Sequence, residues 1–267
     1  MIKLLAVDMD GTCLDSRSRM TGATLEALRS AADHGILVVP ATGRALTCLP
    51  HRLAAASGLY RYVISSNGAR VTDLDTGSSV FEADIPRETA LSLLAELPRR
   101  GLGVTAHLDH QYLIQGRLLL QMGRIIYGQD AREARRVRNM TAFLQGQDHN
   151  VEELQFFFFS SGARRRVEEA LTRYPQLSAA FSGLYVEIYS KSASKGTALA
   201  ALARSRGLDQ SEVACVGDGE NDLSMFNAAG LRFAMGNAVD ALKAQADLVL
   251  PSNDQDGVAA AVNHILS

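Results

Sequence analysis

Three short apolar runs open the chain, and each stops abruptly at polar or glycine-rich residues. Residues 4–7 run into Asp8, residues 36–39 into Pro40-Ala41-Thr42-Gly43-Arg44, and residues 62–64 into Ser65-Ser66-Asn67-Gly68. Short unbroken apolar runs of this kind suit strands covered on both faces. Between the first two, Leu25, Leu28, Ala31 and Ala32 recur at helical spacing, and Gly35 suits the position just past a helix end. Strand alternating with helix predicts a parallel sheet with helices on both faces. Such sheets bind ligands beyond the carboxyl ends of their strands, where each run here delivers its polar residues.

The same texture returns late in the chain. Residues 213–216 run into Gly217-Asp218-Gly219-Glu220-Asn221-Asp222, and apolar runs follow at 231–235 and 248–250. Ser252-Asn253-Asp254-Gln255 has capping-box spacing and predicts the start of a terminal helix through Val258 and Ile265, so Ser252 reads as a cap and not as a nucleophile. From 84 to 186 the pattern changes. A helical stretch follows Pro86, strand-like pieces surround Val104 and residues 112–114, an Arg-rich segment at 132–138 reads as helix, and residues 154–159 form an apolar run. The α/β pattern stops and then resumes, so residues 84–186 are expected to form an inserted α/β domain, with 1–83 and 187–267 making one core. The four phenylalanines from Phe156 to Phe159 read as a doubly covered strand, since the basic-aromatic interleaving of a base-stacking surface is missing nearby.

Composition narrows the function classes. A hydrophobic fraction of 47% and a charged fraction of 21% over 267 residues describe an ordinary globular chain. The net charge of −2 argues against a nucleic-acid partner. No stretch reaches the roughly 20 apolar residues of a membrane helix. The opening apolar run is too short for a signal-peptide core, so the protein is expected in the cytoplasm. Cys13, Cys48 and Cys215 are odd in number and far apart, which fits reduced, buried thiols.

The polar strand ends carry the candidate chemistry. Alternate residues at a strand end point the same way, so Asp8 and Asp10 can converge on one site. Converging carboxylates repel unless one is protonated or a cation lies between them, and magnesium, which favours hard oxygen ligands, resolves the conflict. Gly11 permits the sharp turn that follows. Asp218 and Asp222 form a second acidic cluster after a buried strand and could supply the remaining metal carboxylate. The alternative there is a hairpin, because Asp-Gly is a turn signal, but three acids within five residues at a sheet edge favour the metal. Thr42-Gly43-Arg44, just before an expected helix, offers a hydroxyl and backbone N–H groups as an anion cradle. Lys195-Gly196 opens a helical stretch and offers a positive charge.

In this order the four segments resemble the haloacid dehalogenase superfamily of aspartyl-phosphate hydrolases, and most closely its Cof-like subgroup with an inserted type IIB α/β cap. The motifs are Asp8-Met9-Asp10-Gly11-Thr12, Thr42-Gly43-Arg44, Lys195-Gly196 and Gly217-Asp218-Gly219-Glu220-Asn221-Asp222. Asn67-Gly68-Ala69, Gly236-Asn237-Ala238 and residues 252–257 resemble the subgroup's secondary signatures. The resemblance implies a Rossmann-like core and assigns roles. Asp8 is the nucleophile and Asp10 the acid–base residue. Magnesium is held by Asp8, the backbone carbonyl of Asp10, and Asp218. Thr42, the N–H groups of Met9 and Gly43, Lys195 and Asn221 bind phosphate, and Asp222 orients Lys195 or a metal-bound water. Lys191 lies four residues before Lys195, and alignment with the family favours Lys195.

Weaker candidates receive structural readings. Arg132, Arg135, Arg136 and Arg138 spread around their expected helix and read as a solvated face, as do the arginines at 164–166. His107 and His110 flank Asp109 at an expected polar turn, and His34 and His51 read as helix residues. The expected function is a phosphatase for a small phosphorylated metabolite, such as a sugar phosphate. The alternatives are a phosphomutase or phosphotransferase of the same superfamily, or a non-catalytic phosphometabolite-binding protein, which would have no need of Asp10.

Overall fold

The computed structural model describes residues 1–56, 58–97, 100–121 and 133–267. Two compact units appear: Met1–Arg44, Pro50–Glu82 and Ser194–Ser267 form the first, and Ala45–Leu49 with Ala83–Ala193 form the second.

The first unit is built on β1 (Leu4–Asp8), β2 (Leu37–Ala41), β3 (Tyr62–Ser65), β4 (Arg70–Asp73), β5 (Ser79–Glu82), and, from the far end of the chain, β12 (Val213–Gly217), β13 (Leu231–Ala234) and β14 (Leu248–Val249). Their order across the sheet is β14-β13-β12-β1-β2-β3-β4-β5. Strands β14 to β3 are parallel; β4 and β5 then add an antiparallel edge that the alternating pattern does not announce. Every residue of β1 and β12 is buried, as strands with helices on both faces require. The register sets Asp8 beside Ala41 and Val7 beside Val216, so Asp8, Thr42 and Asp218 emerge together at the carboxyl edge.

Helix Gly22–Asp33 starts on Thr21, whose Oγ1 accepts from the Thr24 N–H at 3.1 Å. It ends in a Schellman arrangement: Gly35 N–H donates to the Ala32 carbonyl and Ile36 N–H to the Ala31 carbonyl. Ser252 does form a capping box with Gln255, but it caps the single turn Asn253–Gln255; the terminal helix is Gly257–Leu266, entered through Asp256 at φ 55°. The left-handed residue breaks the expected continuous helix, and its carboxylate accepts from Thr21 Oγ1 at 2.6 Å. Among the described residues no helix is long and apolar enough to cross a membrane.

The second unit carries its own sheet, β10-β11-β9-β6-β7-β8. Its members are β6 (Leu102–Leu108), β7 (Gln111–Gln115), β8 (Arg135–Val137), β9 (Glu153–Phe158), β10 (Leu177–Phe181) and β11 (Tyr185–Ser190). Helices Arg87–Glu96, Met140–Gln145 and Ala163–Leu171 supply Leu93, Leu144 and Val167 to a core with Val104, Leu154 and Phe156. Two expectations are corrected here. Arg135 and Arg136 lie on edge strand β8 and not on a helix: pairing with β7 outweighs local propensity, and charged side chains suit a sheet edge. Arg135 and Arg138 are exposed; Arg132 lies outside the described residues. Phe156 is fully buried, Phe157 and Phe158 are half-buried and Phe159 is exposed, so the phenylalanine run is not covered on both faces along its length. Asp109 and His110, at φ 49° and 66°, make the tight turn of the β6–β7 hairpin, while His107 is buried edge-on against Tyr112. His34 closes helix Gly22–Asp33, His51 opens the short helix His51–Ala54, Arg164 and Arg165 are exposed, and Arg166 is half-buried.

Candidate active site

The carboxyl edge of the first sheet gathers acids around one lysine. Carboxylate oxygens of Asp8, Asp218 and Asp222 all lie within 4.8 Å of one another. Lys195 Nζ donates to Asp8 Oδ1 at 2.5 Å and to Asp222 Oδ1 at 2.7 Å, with the lysine 1% exposed. Lys195 arrives there because it opens helix Lys195–Ser205, which Ser194 and Thr197 cap reciprocally. Gly196 beside it must be glycine: a Cβ there would lie 2.0 Å from the Ser224 carbonyl oxygen. Lys191 is exposed after β11, in the other unit.

The acids are held from behind. Asp222 Oδ2 accepts from the N–H groups of Asp218 and Gly219 at 2.9 and 3.0 Å, which closes this loop into a tight turn in place of the alternative hairpin. Thr12 Oγ1 donates to Asp218 at 2.8 Å. Gly11 has φ +85°, and a Cβ there would fall 2.3 Å from an Asp218 oxygen, so the turn after the first motif and the approach of Asp218 both require glycine. Asn237 Nδ2 donates to the Gly11 carbonyl at 2.8 Å, Asn253 Nδ2 to the Leu14 carbonyl at 2.8 Å, and Asp254 accepts from Ser16 N–H at 2.8 Å. The loop after Asp8 is thereby clasped by the last part of the chain.

Three carboxylates and one ammonium leave an excess of two negative charges in a buried place. Burial pushes the Asp8 carboxyl well up, the charges of Asp222 and Asp218 add to this, and Lys195 opposes it. Burial disfavours charge on Lys195, but Asp222 and Asp8 outweigh it and hold the ammonium above the usual lysine range. Asp218 is also raised, chiefly by burial, against the hydrogen bond from Thr12. Burial, with Asp8 and Asp10 nearby, keeps the Cys13 thiol protonated and inert.

Asp10 behaves differently. Its carboxylate is not part of the Asp8, Asp218 and Asp222 cluster; it takes a two-pronged bond from Arg44, Nε at 2.9 Å and Nη2 at 2.7 Å. An oppositely charged fork outcompetes three like-charged neighbours. Thr42 is buried, and its hydroxyl accepts from the Arg44 N–H at 3.1 Å. The helix expected after Arg44 is a single 3-10 turn, Leu46–Cys48, which begins two residues further on. Gly43 packs on Asn67, whose Oδ1 accepts from Asn221 Nδ2 at 3.2 Å, so Gly43 and Asn221 meet through a shared neighbour. Met9 is buried, next to Asp8. Arg44, Asn67, Thr12 and Asn237 lie inside the motifs quoted above, yet sequence alone assigns none of them a role.

A mostly parallel sheet with clustered acids and a buried lysine at its carboxyl edge places a charged ligand site where such folds bind their ligands. The family model for haloacid dehalogenase-like hydrolases matches residues 5–262. The 5-amino-6-(5-phospho-D-ribitylamino)uracil phosphatase YwtE of Bacillus subtilis is 29% identical over 287 residues, covering 100% of this chain and 99% of its own. A phosphoglycolate phosphatase of Methanoculleus marisnigri is 28% identical, covering 98% of this chain and 96% of its own. A solved haloacid dehalogenase-like hydrolase from Bacteroides thetaiotaomicron superposes with a TM-score of 0.86 at 25% identity, over 99% of this chain and 100% of that one. The chain belongs to the haloacid dehalogenase-like hydrolases, in their Cof-like subgroup. It is a phosphoric monoester hydrolase.

Proposed function

We propose that this phosphatase is magnesium-dependent, acts on a small phosphorylated metabolite, and works through an aspartyl-phosphate on Asp8. The observation that carries the reading is the buried arrangement of Lys195 between Asp8 and Asp222, with Asp218 alongside. The donor set fits a hard divalent cation: all-oxygen, acidic, and in excess by the two charges such an ion brings. Asp8 and Asp218 would hold it by their side chains and Asp10 by its backbone carbonyl. Both Asp222 oxygens are taken by Lys195 and by backbone N–H groups, so Asp222 would stand behind and orient Lys195. When bound, the ion supplies charge compensation to the acids and to a non-bridging phosphoryl oxygen.

Asp8 would attack phosphorus, forming the new O–P bond as the ester O–P bond breaks, while Asp10 gives its proton to the departing alcohol. Water would then attack the phosphorus of the aspartyl-phosphate, losing its proton to Asp10 and releasing inorganic phosphate and Asp8. Lys195 would steady the carboxylate of Asp8 as an anion, which a nucleophile needs and which burial alone would not allow. Thr42, the N–H groups of Met9 and Gly43, Lys195 and Asn221 would receive the phosphoryl oxygens. The second unit, read as a cap, would select the rest of the substrate. Three buried free cysteines support a cytoplasmic setting.

The test is hydrolysis of p-nitrophenyl phosphate and of a panel of sugar phosphates with magnesium and with chelator. Activity should require the metal, and Asp8→Asn should abolish it. Unchanged turnover by that variant would sink the mechanism. Acceptor sugars added to the assay would reveal a phosphotransferase by phosphorylated acceptor in place of free phosphate.

A further inference from the structure

The backbone of the proposed acid–base residue is held by a bridge to Leu14, but its side chain reaches outward. Asp10 lies in the otherwise buried turn after Asp8, between Met9 and Thr12, yet its own side chain is 55% exposed. What fixes it is Arg44, whose side chain is only 11% exposed. The two guanidinium bonds, 2.9 Å to Oδ2 and 2.7 Å to Oδ1, set both the position and the plane of the carboxylate. Each oxygen gives one lone pair to the fork and keeps another, on the outer side, for a proton.

Arg44 is itself anchored at its backbone. Its N–H donates to Thr42 Oγ1 at 3.1 Å, and its carbonyl accepts from Ser66 N–H at 2.9 Å. Asn67 N–H, next along, donates to the Thr42 carbonyl at 3.1 Å. The guanidinium therefore grows from the segment that carries Thr42 and Gly43, and its location follows theirs.

We propose that Arg44 is a positioning residue for Asp10: it ties the acid–base carboxylate to the segment that receives the phosphoryl group. The inference rests on the phosphatase reading above. Arg44 need not touch the phosphoryl group for this; it acts through Asp10. Its loss should hurt the step that needs a proton and spare the step that does not.

The experiment compares p-nitrophenyl phosphate, whose leaving group departs without help, with an alkyl phosphate such as a hexose 6-phosphate, whose alkoxide must be protonated. Asp10→Asn, Arg44→Met, Arg44→Lys and the double variant Asp10→Asn/Arg44→Met are measured as purified proteins with magnesium. Arg44→Met should lower kcat/KM, which ends at departure of the leaving group and so excludes the water step common to both esters, by about 100-fold on the alkyl ester, the scale of misplacing a catalytic group by about 1 Å, and by less than about 3-fold on the aryl ester. Arg44→Lys keeps the charge but not the fork, and should resemble Arg44→Met. The double variant should be no slower on the alkyl ester than Asp10→Asn alone, because effects through one group do not add. Equal losses of kcat/KM on both esters, full rescue by lysine, or additive losses in the double variant would each overturn the role. Inactive wild type on both esters would instead overturn the phosphatase reading.

Discussion

Replacing the nucleophile should stabilise the metal-free protein. In Asp8→Asn one buried carboxylate becomes a neutral group of the same shape. At an effective dielectric of about 20, two charges no more than 4.8 Å apart repel by at least about 3.5 kcal/mol, so Asp218 and Asp222 together oppose an ionised Asp8 by at least about 7 kcal/mol. The attraction of Lys195 at 2.5 Å is about the same size on that scale. The pairwise sum is at best near zero, which leaves the desolvation of a 5% exposed carboxylate unrepaid. Burial pushes the Asp8 carboxyl well up despite Lys195, so removing its charge should not cost the metal-free protein stability. Thermal melts in chelator should therefore place Asp8→Asn level with wild type or a few degrees above, at about 2–4 °C per kcal/mol. Magnesium reverses the order: at about 100 times its Kd it should stabilise wild type by about 2.7 kcal/mol and the variant much less. A variant melting well below wild type in chelator would refute the charge-excess argument. Equal magnesium shifts in both proteins would refute Asp8 as a ligand.

Gly11→Ala should cost about 1–2 kcal/mol from the left-handed backbone. It should also lower kcat/KM by about 100-fold, because the new Cβ displaces Asp218; steady-state kinetics showing less than a threefold loss would contradict the packing. His107 titrates at about 3 because it is buried, against 6.5 in the unfolded chain. Its proton is bound by the unfolded state alone between those values, so stability is full above pH 6.5 and falls on acidification by up to about 1.4 kcal/mol per pH unit. Urea midpoints followed from pH 7 to 4 should lose that component of their slope in His107→Gln; an unchanged slope would rule out the buried neutral imidazole.

What could be read from the sequence was the part written in neighbouring residues. Apolar runs ending at Asp8, Thr42 and Asp218 marked strands and their useful edge, because strand burial and strand polarity are local signals. Long-range choices were not legible. Arg44 stands 34 residues from Asp10, and nothing in either segment states that a guanidinium, and not a second carboxylate, takes that aspartate. Asn67 and Asn237 are short amides whose use depends on which backbone they meet. Residues 135–137 became a strand because β7 offers an edge, a matter of pairing and not propensity. The phenylalanines look alike in sequence, but alternation and the end of β9 give them different exposures.

The clasp on the loop after Asp8 has a consequence for synthesis. Strand β1 is made first and β12, one of its two neighbours, some 200 residues later; Asn253, Asp254 and Asp256 come later still. A nascent chain thus carries the first motif on a half-paired strand while most of the second unit, residues 83–193, already has its own core to fold on. Asp8 can meet Lys195, Asp218 and Asp222 only when those residues have emerged. The reactive centre is therefore assembled late in translation, and a prematurely terminated chain leaves an apolar strand edge open to the wrong partners.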